Sequence, residues 1–377
     1  MVYQILHTLN ALRVCVEFCV IHYHVSFLSP VSDYLSNHNL ADNAMSFFFV
    51  LSGFCAMYSN LHIDFEEKGA RLAFIKRRLW KVYPAYLTWY LLDLPGAIVS
   101  QSKEGCSLFW LAIASQPVLM HPWLGCQHIG VSNGVSWYLG TLFWLWFLFP
   151  FLYLKSLFES YVWAKIVGLY LLSVASWLAL YRFNIYYLRE VPLFRLCEFL
   201  MGCGAACALD RPLNAYVVLL LALTFPVYCT LTHEMPWLWP SEELHSDCVL
   251  WPLRRQPDVN PTIFLSKFSL PSCVVIHYLA TSELAGLRPV AFLHWDFFKS
   301  LSAFSLHAYL SHYTVACMLR SLSVAMGIFD WWSLDALLMA CYLIAYLAAK
   351  AEARAMRWLE CTLTYTPAPQ ENVVTAT

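Results

Sequence analysis

Charge is what this sequence has least of. Only 12% of its 377 residues are Asp, Glu, Lys or Arg, against about one quarter in a soluble domain. With a net charge of −1 it has no basic face for a polyanion. A basic tail and zinc-knuckle spacing are also absent, which excludes nucleic acid as a partner. The 14 cysteines never fall into CxxC spacing. Most lie in apolar segments, where a thiol serves as a small apolar side chain, so no metal site is expected. Cys106 and Cys126 share one polar connector, and a lumenal disulfide between them is one option. No internal repeat or low-complexity linker interrupts the chain. The first apolar run carries polar residues and lacks a small-residue cleavage site, so it is expected to be a retained helix, not a signal peptide.

Apolar and aromatic residues fill the space that charge leaves. The chain is 60% hydrophobic and 17% aromatic, with a mean hydropathy of +0.56, which points to lipid as the solvent. A membrane helix needs about 20 mostly apolar residues. Such runs fall near Leu9–Ser29, Asn43–Asn60, Trp80–Val99, Trp137–Leu157 and Val162–Tyr181. Others lie near Pro192–Leu209, Asn214–Leu231, Thr262–Leu279, Ser300–Met326 and Leu334–Ala349. Ser107–Leu119 is short, and is either re-entrant, interfacial or spanning. The basic cluster Lys68, Arg71, Lys76, Arg77, Arg78 and Lys81 marks a cytoplasmic face. If Ser107–Leu119 does not span, Lys155, Arg211, Arg288, Lys350, Arg354 and Arg357 fall on that face too. The expected fold class is therefore all-α: a polytopic transmembrane bundle of about ten helices with both termini cytoplasmic, in the plasma membrane or an endomembrane. Residues 1–361 form one membrane domain and residues 362–377 a disordered tail. The connector Thr232–Pro261 faces the lumen or exterior.

The first helix carries four residues that lipid disfavours: Arg13, Glu17, His22 and His24. At 100° per residue, the eleven-residue offset puts Arg13 and His24 on one face, about 16 Å apart along the axis. Glu17 lies about 40° from Arg13 on that face, Asn10 joins it, and His22 points away. Glu17 is placed to pair with Arg13 one turn off. A polar stripe must look into the bundle or a wet cavity, and an imidazole held on it can act as a general base. On spacing alone, Arg13 snorkelling to headgroups and histidines satisfying carbonyls explain the stripe equally well.

Three further stretches stand out. "FFFVLSGF" places Ser52 and Gly53 within an aromatic helix, where Gly permits close backbone approach. "FIKRRLWKVYPAY" puts Arg78 and Lys81 one turn apart, suited to an anionic ligand or to a positive-inside flank. "VPLFRLCEFLMG" carries Arg195 and Glu198 three residues apart, able to neutralise each other as a buried strut.

With "NGVSWYLGTLFWLWFLFP" (from Asn133 and Trp137 to Pro150) and "FSLHAYLSH" (Ser305, Tyr309, His312), this order resembles the acyltransferase-3 family of multi-pass membrane O-acyltransferases. The resemblance implies transfer of an acyl group, often acetyl, from cytoplasmic acyl-CoA to a hydroxyl of a carbohydrate, lipid or similar acceptor. Acyl-CoA is then a donor substrate, and no cofactor is held permanently. Arg13 and His24 correspond to the family's essential pair, with Glu17 as counter-ion. Arg78 and Lys81 match its Arg-x-x-Arg, with Arg77 beside them as a further donor-binding candidate. Ser52, Asn133, Trp137, Arg195, Glu198, Ser305 and His312 are candidates for the substrate-binding surface. Two departures are clear: Leu142 and Phe143 replace a usual acidic pair, and Ser46 stands where Asp is frequent. The first leaves room for another reading, a non-catalytic lipid or small-molecule transporter on the same scaffold.

Overall fold

A computed structural model describes residues 6–26, 40–101, 109–124, 132–152, 154–182, 190–214, 268–287, 290–325 and 333–364. These residues form twelve α-helices joined by turns and short 3-10 segments, with no strand among them. In chain order they are α1 (His7–Ser26), α2 (Leu40–Tyr58), α3 (Ala70–Gln101), α4 (Phe109–Ser115), α5 (Trp137–Leu148) and α6 (Leu154–Leu157). The rest are α7 (Val162–Arg182), α8 (Pro192–Cys207), α9 (Ser269–Leu284), α10 (Asp296–Ser302), α11 (Ser305–Ala325) and α12 (Ser333–Thr364).

Helix α1 is surrounded, packing on α2, α9, α10, α11 and α12. Its first turn is fixed from afar. The Glu283 carboxylate, at the end of α9, accepts hydrogen bonds from the backbone N–H groups of His7 (2.8 Å) and Thr8 (3.0 Å). Those N–H groups have no intrahelical partner, and an anion there also suits the helix dipole. Helices α2 and α8 share the most extensive interface, and glycines make it. A Cβ on Gly53 would lie 1.9 Å from the Phe199 carbonyl oxygen, and one on Gly202 would lie 1.9 Å from that of Val50. The two backbones therefore touch where no other residue fits.

Several boundaries move from the sequence expectation. Helix α3 begins ten residues before Trp80, at Ala70, so Arg71, Lys76, Arg77, Arg78 and Lys81 all ride on it. The run Trp137–Leu157 breaks at a 3-10 turn containing Pro150, whose ring cannot continue the hydrogen-bond ladder. The run Ser300–Met326 breaks at Ala303–Phe304, with no Gly or Pro to announce it. Helix α9 ends five residues beyond Leu279, and α12 continues to Thr364, past residue 361.

Helix α4 has seven residues, about 10 Å of rise, where a bilayer core needs about 30 Å. It folds back along α3, held by three tyrosines spaced along that helix. Tyr83, Tyr86 and Tyr90 donate their hydroxyls to the carbonyls of Pro117 (2.8 Å), Gln116 (2.8 Å) and Ile113 (3.2 Å). Among the described residues one helical stretch, Gly134–Phe151, is long and apolar enough to cross a membrane; Ala44–Tyr58 and Val162–Trp177 are shorter apolar helices. The expected helix after Asn214, the connector Thr232–Pro261, Cys106, Cys126 and residues 365–377 lie outside the described residues.

Candidate active site

The polar face of α1 meets α10 and α11 in register. The break at Ala303–Phe304 ends α10 and starts α11 beside Arg13 and Glu17. Arg13 Nη2 donates to the Ser302 carbonyl, 3.1 Å away, which is the last residue of α10. A cation at a helix C-terminus satisfies an orphan carbonyl and suits the dipole. Glu17 is buried, with Ser305, at the first turn of α11, as its polar neighbour. Further along, His24 Nδ1 and His312 Nε2 are 3.0 Å apart, with ring centroids at 5.0 Å. Arg13, Glu17 and His24 thus face Ser302, Ser305 and His312 in order.

The expected ion pair is not formed. Among the described residues no contact within 4.0 Å joins Arg13 to Glu17, and the Arg13 charge acts on the carboxylate only from further off. Arg13 Nε and Glu17 Oε1 are buried with no hydrogen-bond partner. The two charges turn to the two helix ends instead, because the break in α10–α11 offers each a complementary terminus. His22 keeps to the other side, its ring 6.2 Å from Phe18.

A cationic group lies at the Arg13 end. Lys81 on α3 is exposed and within electrostatic reach of both Arg13 and Arg78. Arg78 donates to the Ser59 hydroxyl (3.1 Å) and stacks over Phe74 and Trp146, with its Nε unpartnered. Arg77 is turned elsewhere: its Nη2 donates to Asn60 Oδ1 at 2.8 Å, pinning the end of α2. A cleft of about 210 Å³ lined by Asn10, His294, Asp296, Lys299 and Ser302 opens beside Arg13.

The remaining candidates are structural partners of this seam or lie apart from it. The Ser52 hydroxyl and Tyr138 hydroxyl are 3.1 Å apart, and the Tyr138 ring packs 5.7 Å from Tyr309, whose hydroxyl donates to the Val135 carbonyl. Asn133, in a left-handed conformation (φ 51°), donates from Nδ2 to the Leu310 carbonyl at 2.7 Å and so ties the start of α5 to α11. Arg195 and Glu198 pair at 3.2 Å in the core. Glu198 accepts from Ser46, and Arg195 lies over the rings of Phe49, Trp137 and Trp177. Leu142 is buried and Phe143 half-buried, so the usual acidic positions are apolar packing here.

Sequence reasoning missed Ser302, Tyr138 and Glu283. It also passed over His307, inside the quoted closing motif, which receives the Trp89 indole N–H (3.3 Å) and lies 2.8 Å from Glu352. A second histidine five residues before His312 was the only available signal for that one.

The described residues form an all-helical bundle with an internal polar seam that ends in two facing histidines at one side and a cationic group at the other. The family model described as an acyltransferase domain, Acyl_transf_3, matches residues 6–350, and the chain belongs to that acyltransferase-3 family. It is thereby a member of a family of membrane acyltransferases. No curated protein and no solved structure matches it.

Proposed function

We propose that this protein is a multi-pass membrane O-acyltransferase that takes an acyl group, acetyl in the simplest case, from cytoplasmic acyl-CoA. The acceptor is a hydroxyl of a carbohydrate, a lipid or a similar molecule. His24 is the general base, Arg13 with Glu17 orients the polar face, and Arg78 with Lys81 holds the donor's phosphates. The observation that supports this best is the seam itself. It joins like-charged Arg13, Arg78 and Lys81, which repel one another unless an anion sits among them, to an imidazole at the far end of the same face. The span from Arg13 to His24 is about 16 Å along the helix, so donor phosphates and a reacting carbonyl would be well separated.

In the reaction, the acceptor O–H proton moves to His24 as the oxygen bonds the acyl carbon. The C–S bond then breaks, and the proton returns from His24 to the thiolate of CoA. General-base help of this kind is worth about 10²–10⁴-fold, and a preorganised donor for the oxyanion about 10²–10³-fold. The unpartnered Arg13 Nε lies at the cationic end of the seam and is suited to the donor's phosphates, not to the oxyanion. Ten crossings with both termini cytoplasmic fit the short α4, which reaches only part-way across a bilayer.

Thioester turnover tests the reading without knowledge of the acceptor. Purified protein should hydrolyse acetyl-CoA slowly, and His24→Ala should abolish this while the protein remains folded. His22→Ala, on the other side of α1, should stay within a few-fold of wild type. Full turnover by well-folded His24→Ala would sink the mechanism. The buried, apolar Leu142 site keeps one other reading open, a non-catalytic transporter, and that protein would show no thioester turnover at all.

A further inference from the structure

We infer that His312 is a positioning residue: it fixes the tautomer of His24 and leaves His24 Nε2 as the basic nitrogen. The inference rests on the reading of His24 as general base. Its ground is a chain of two hydrogen bonds that can be oriented in only one direction. His312 Nδ1 lies 2.6 Å from the Tyr309 carbonyl oxygen. A carbonyl only accepts, so Nδ1 carries the proton. His312 is fully buried, where a neutral ring is the inexpensive form, and a neutral ring protonated at Nδ1 has its lone pair on Nε2. That Nε2 is 3.0 Å from His24 Nδ1. One partner must donate, and His312 Nε2 has no proton to give, so His24 is protonated at Nδ1. Its lone pair is then on Nε2, at the opposite side of the ring from His312.

His277 shows what a histidine with only a packing role looks like in the same bundle. Its two ring nitrogens both point at backbone carbonyls, those of Ala205 (3.1 Å) and Arg211 (3.2 Å). His312 uses one nitrogen that way and directs the other to His24. As His24 takes the acceptor's proton on Nε2 it becomes cationic, and its Nδ1–H bond to His312 becomes charge-assisted, the stronger class of hydrogen bond. The interaction therefore strengthens as the reaction proceeds, which is what a catalytic contribution requires. His312 itself neither gains nor loses a proton. The α11 backbone holds this arrangement from both flanks: Asn133 binds the Leu310 carbonyl, and the Cys341 thiol of α12 reaches the His312 carbonyl at 3.6 Å.

Full-length protein in nanodiscs, assayed with acetyl-CoA and water as acceptor, tests the inference with His312→Leu and His312→Gln. Leu fills the space without an acceptor. Gln offers its amide oxygen to the His24 Nδ1–H. We expect kcat to fall about 10²–10⁴-fold in His312→Leu, the upper bound being the cost of a mis-set histidine tautomer in serine proteases. The KM for acetyl-CoA should stay within about twofold, and Gln should recover kcat to within about tenfold of wild type. Histidine-specific ¹⁵N and ¹³C labelling gives a second readout that does not depend on a variant folding. The His24 signal, identified by its loss in His24→Ala, should show the Nδ1–H tautomer in wild-type protein. An Nε2–H tautomer there overturns the inference. So does His312→Leu with kcat within threefold of wild type, or equal impairment of Leu and Gln, which would indicate packing alone. An active His24→Ala protein would instead remove the general-base reading on which the inference stands.

Discussion

Arg195 and Glu198 on α8, and Arg13 and Glu17 on α1, are two arginine–glutamate sets inside one bundle. In the first, guanidinium and carboxylate meet at 3.2 Å, Ser46 adds a donor, and three aromatic rings surround the cation. In the second, the charges are directed to separate helix ends, and Arg13 Nε and Glu17 Oε1 are left without partners. A buried polar atom without a partner costs about 1–3 kcal/mol. The first set is a finished strut between α2, α5, α7 and α8. The second keeps hydrogen-bonding capacity inside the bundle, as a site must if a substrate is to supply the missing partners. Composition alone treats the two sets as equals; geometry separates them.

The largest effect should come from breaking the finished set. Arg195→Ala leaves the Glu198 carboxylate buried without its cation, a loss of about 3–5 kcal/mol. Thermal unfolding in detergent should show a large drop or little folded protein. The triple replacement Arg195→Met, Glu198→Leu and Ser46→Ala should regain most of that stability, since it removes every polar group of the cluster together. If Arg195→Ala folded as wild type, the strut would be a misreading of the geometry.

Arg13→Gln should be milder for folding and worse for function. It loses one charged hydrogen bond to the Ser302 carbonyl, about 1.5–3 kcal/mol, and breaks no ion pair in direct contact. Adding Glu17→Gln should therefore restore little stability, whereas acetyl-CoA turnover should fall by about 10²-fold in either protein, because the polar face is no longer held in its productive position. Recovery of stability in the double variant would mean that Arg13 and Glu17 are an ion pair after all, and the contrast between the two sets would collapse.

Both sets were legible in part. The 100° period put Arg13, Glu17 and His24 on one face, and the i, i+3 spacing joined Arg195 to Glu198. What the residues did not announce was the break at Ala303–Phe304, because neither Gly nor Pro marks it. That break decides where Arg13 and Glu17 turn. Glu283 caps α1 from 275 residues away in the chain, and no local pattern encodes such a distance. The tyrosines that hold α4 donate to backbone carbonyls, which every residue carries, so side-chain identity gave no hint of their partners. Gly53 was different. Its neighbours are aromatic and bulky, so a glycine there already meant that another backbone comes close, and that backbone is α8.

The smallest effects belong to the cationic group, and they differ within it. Arg78 is half-buried, tied to Ser59 and stacked on two rings, whereas Lys81 is exposed. Arg78→Gln should therefore raise the KM for acetyl-CoA more than Lys81→Gln, since exposed charges are screened and contribute about 0–1 kcal/mol each, a few-fold at most. The Lys81 effect should shrink further as salt is raised, because an exposed charge is screened more than a half-buried one. Lys81→Arg should be neutral or slightly better. A guanidinium offers a fork of donors that fits phosphate where an ammonium offers a point charge. The double Gln variant isolates the role of the pair: an unchanged KM for acetyl-CoA would leave Arg78 and Lys81 as a positive flank that orients the chain in the membrane, with the donor held elsewhere. A raised KM with unchanged kcat would place them on the donor's phosphates, at the far end of the seam from His24.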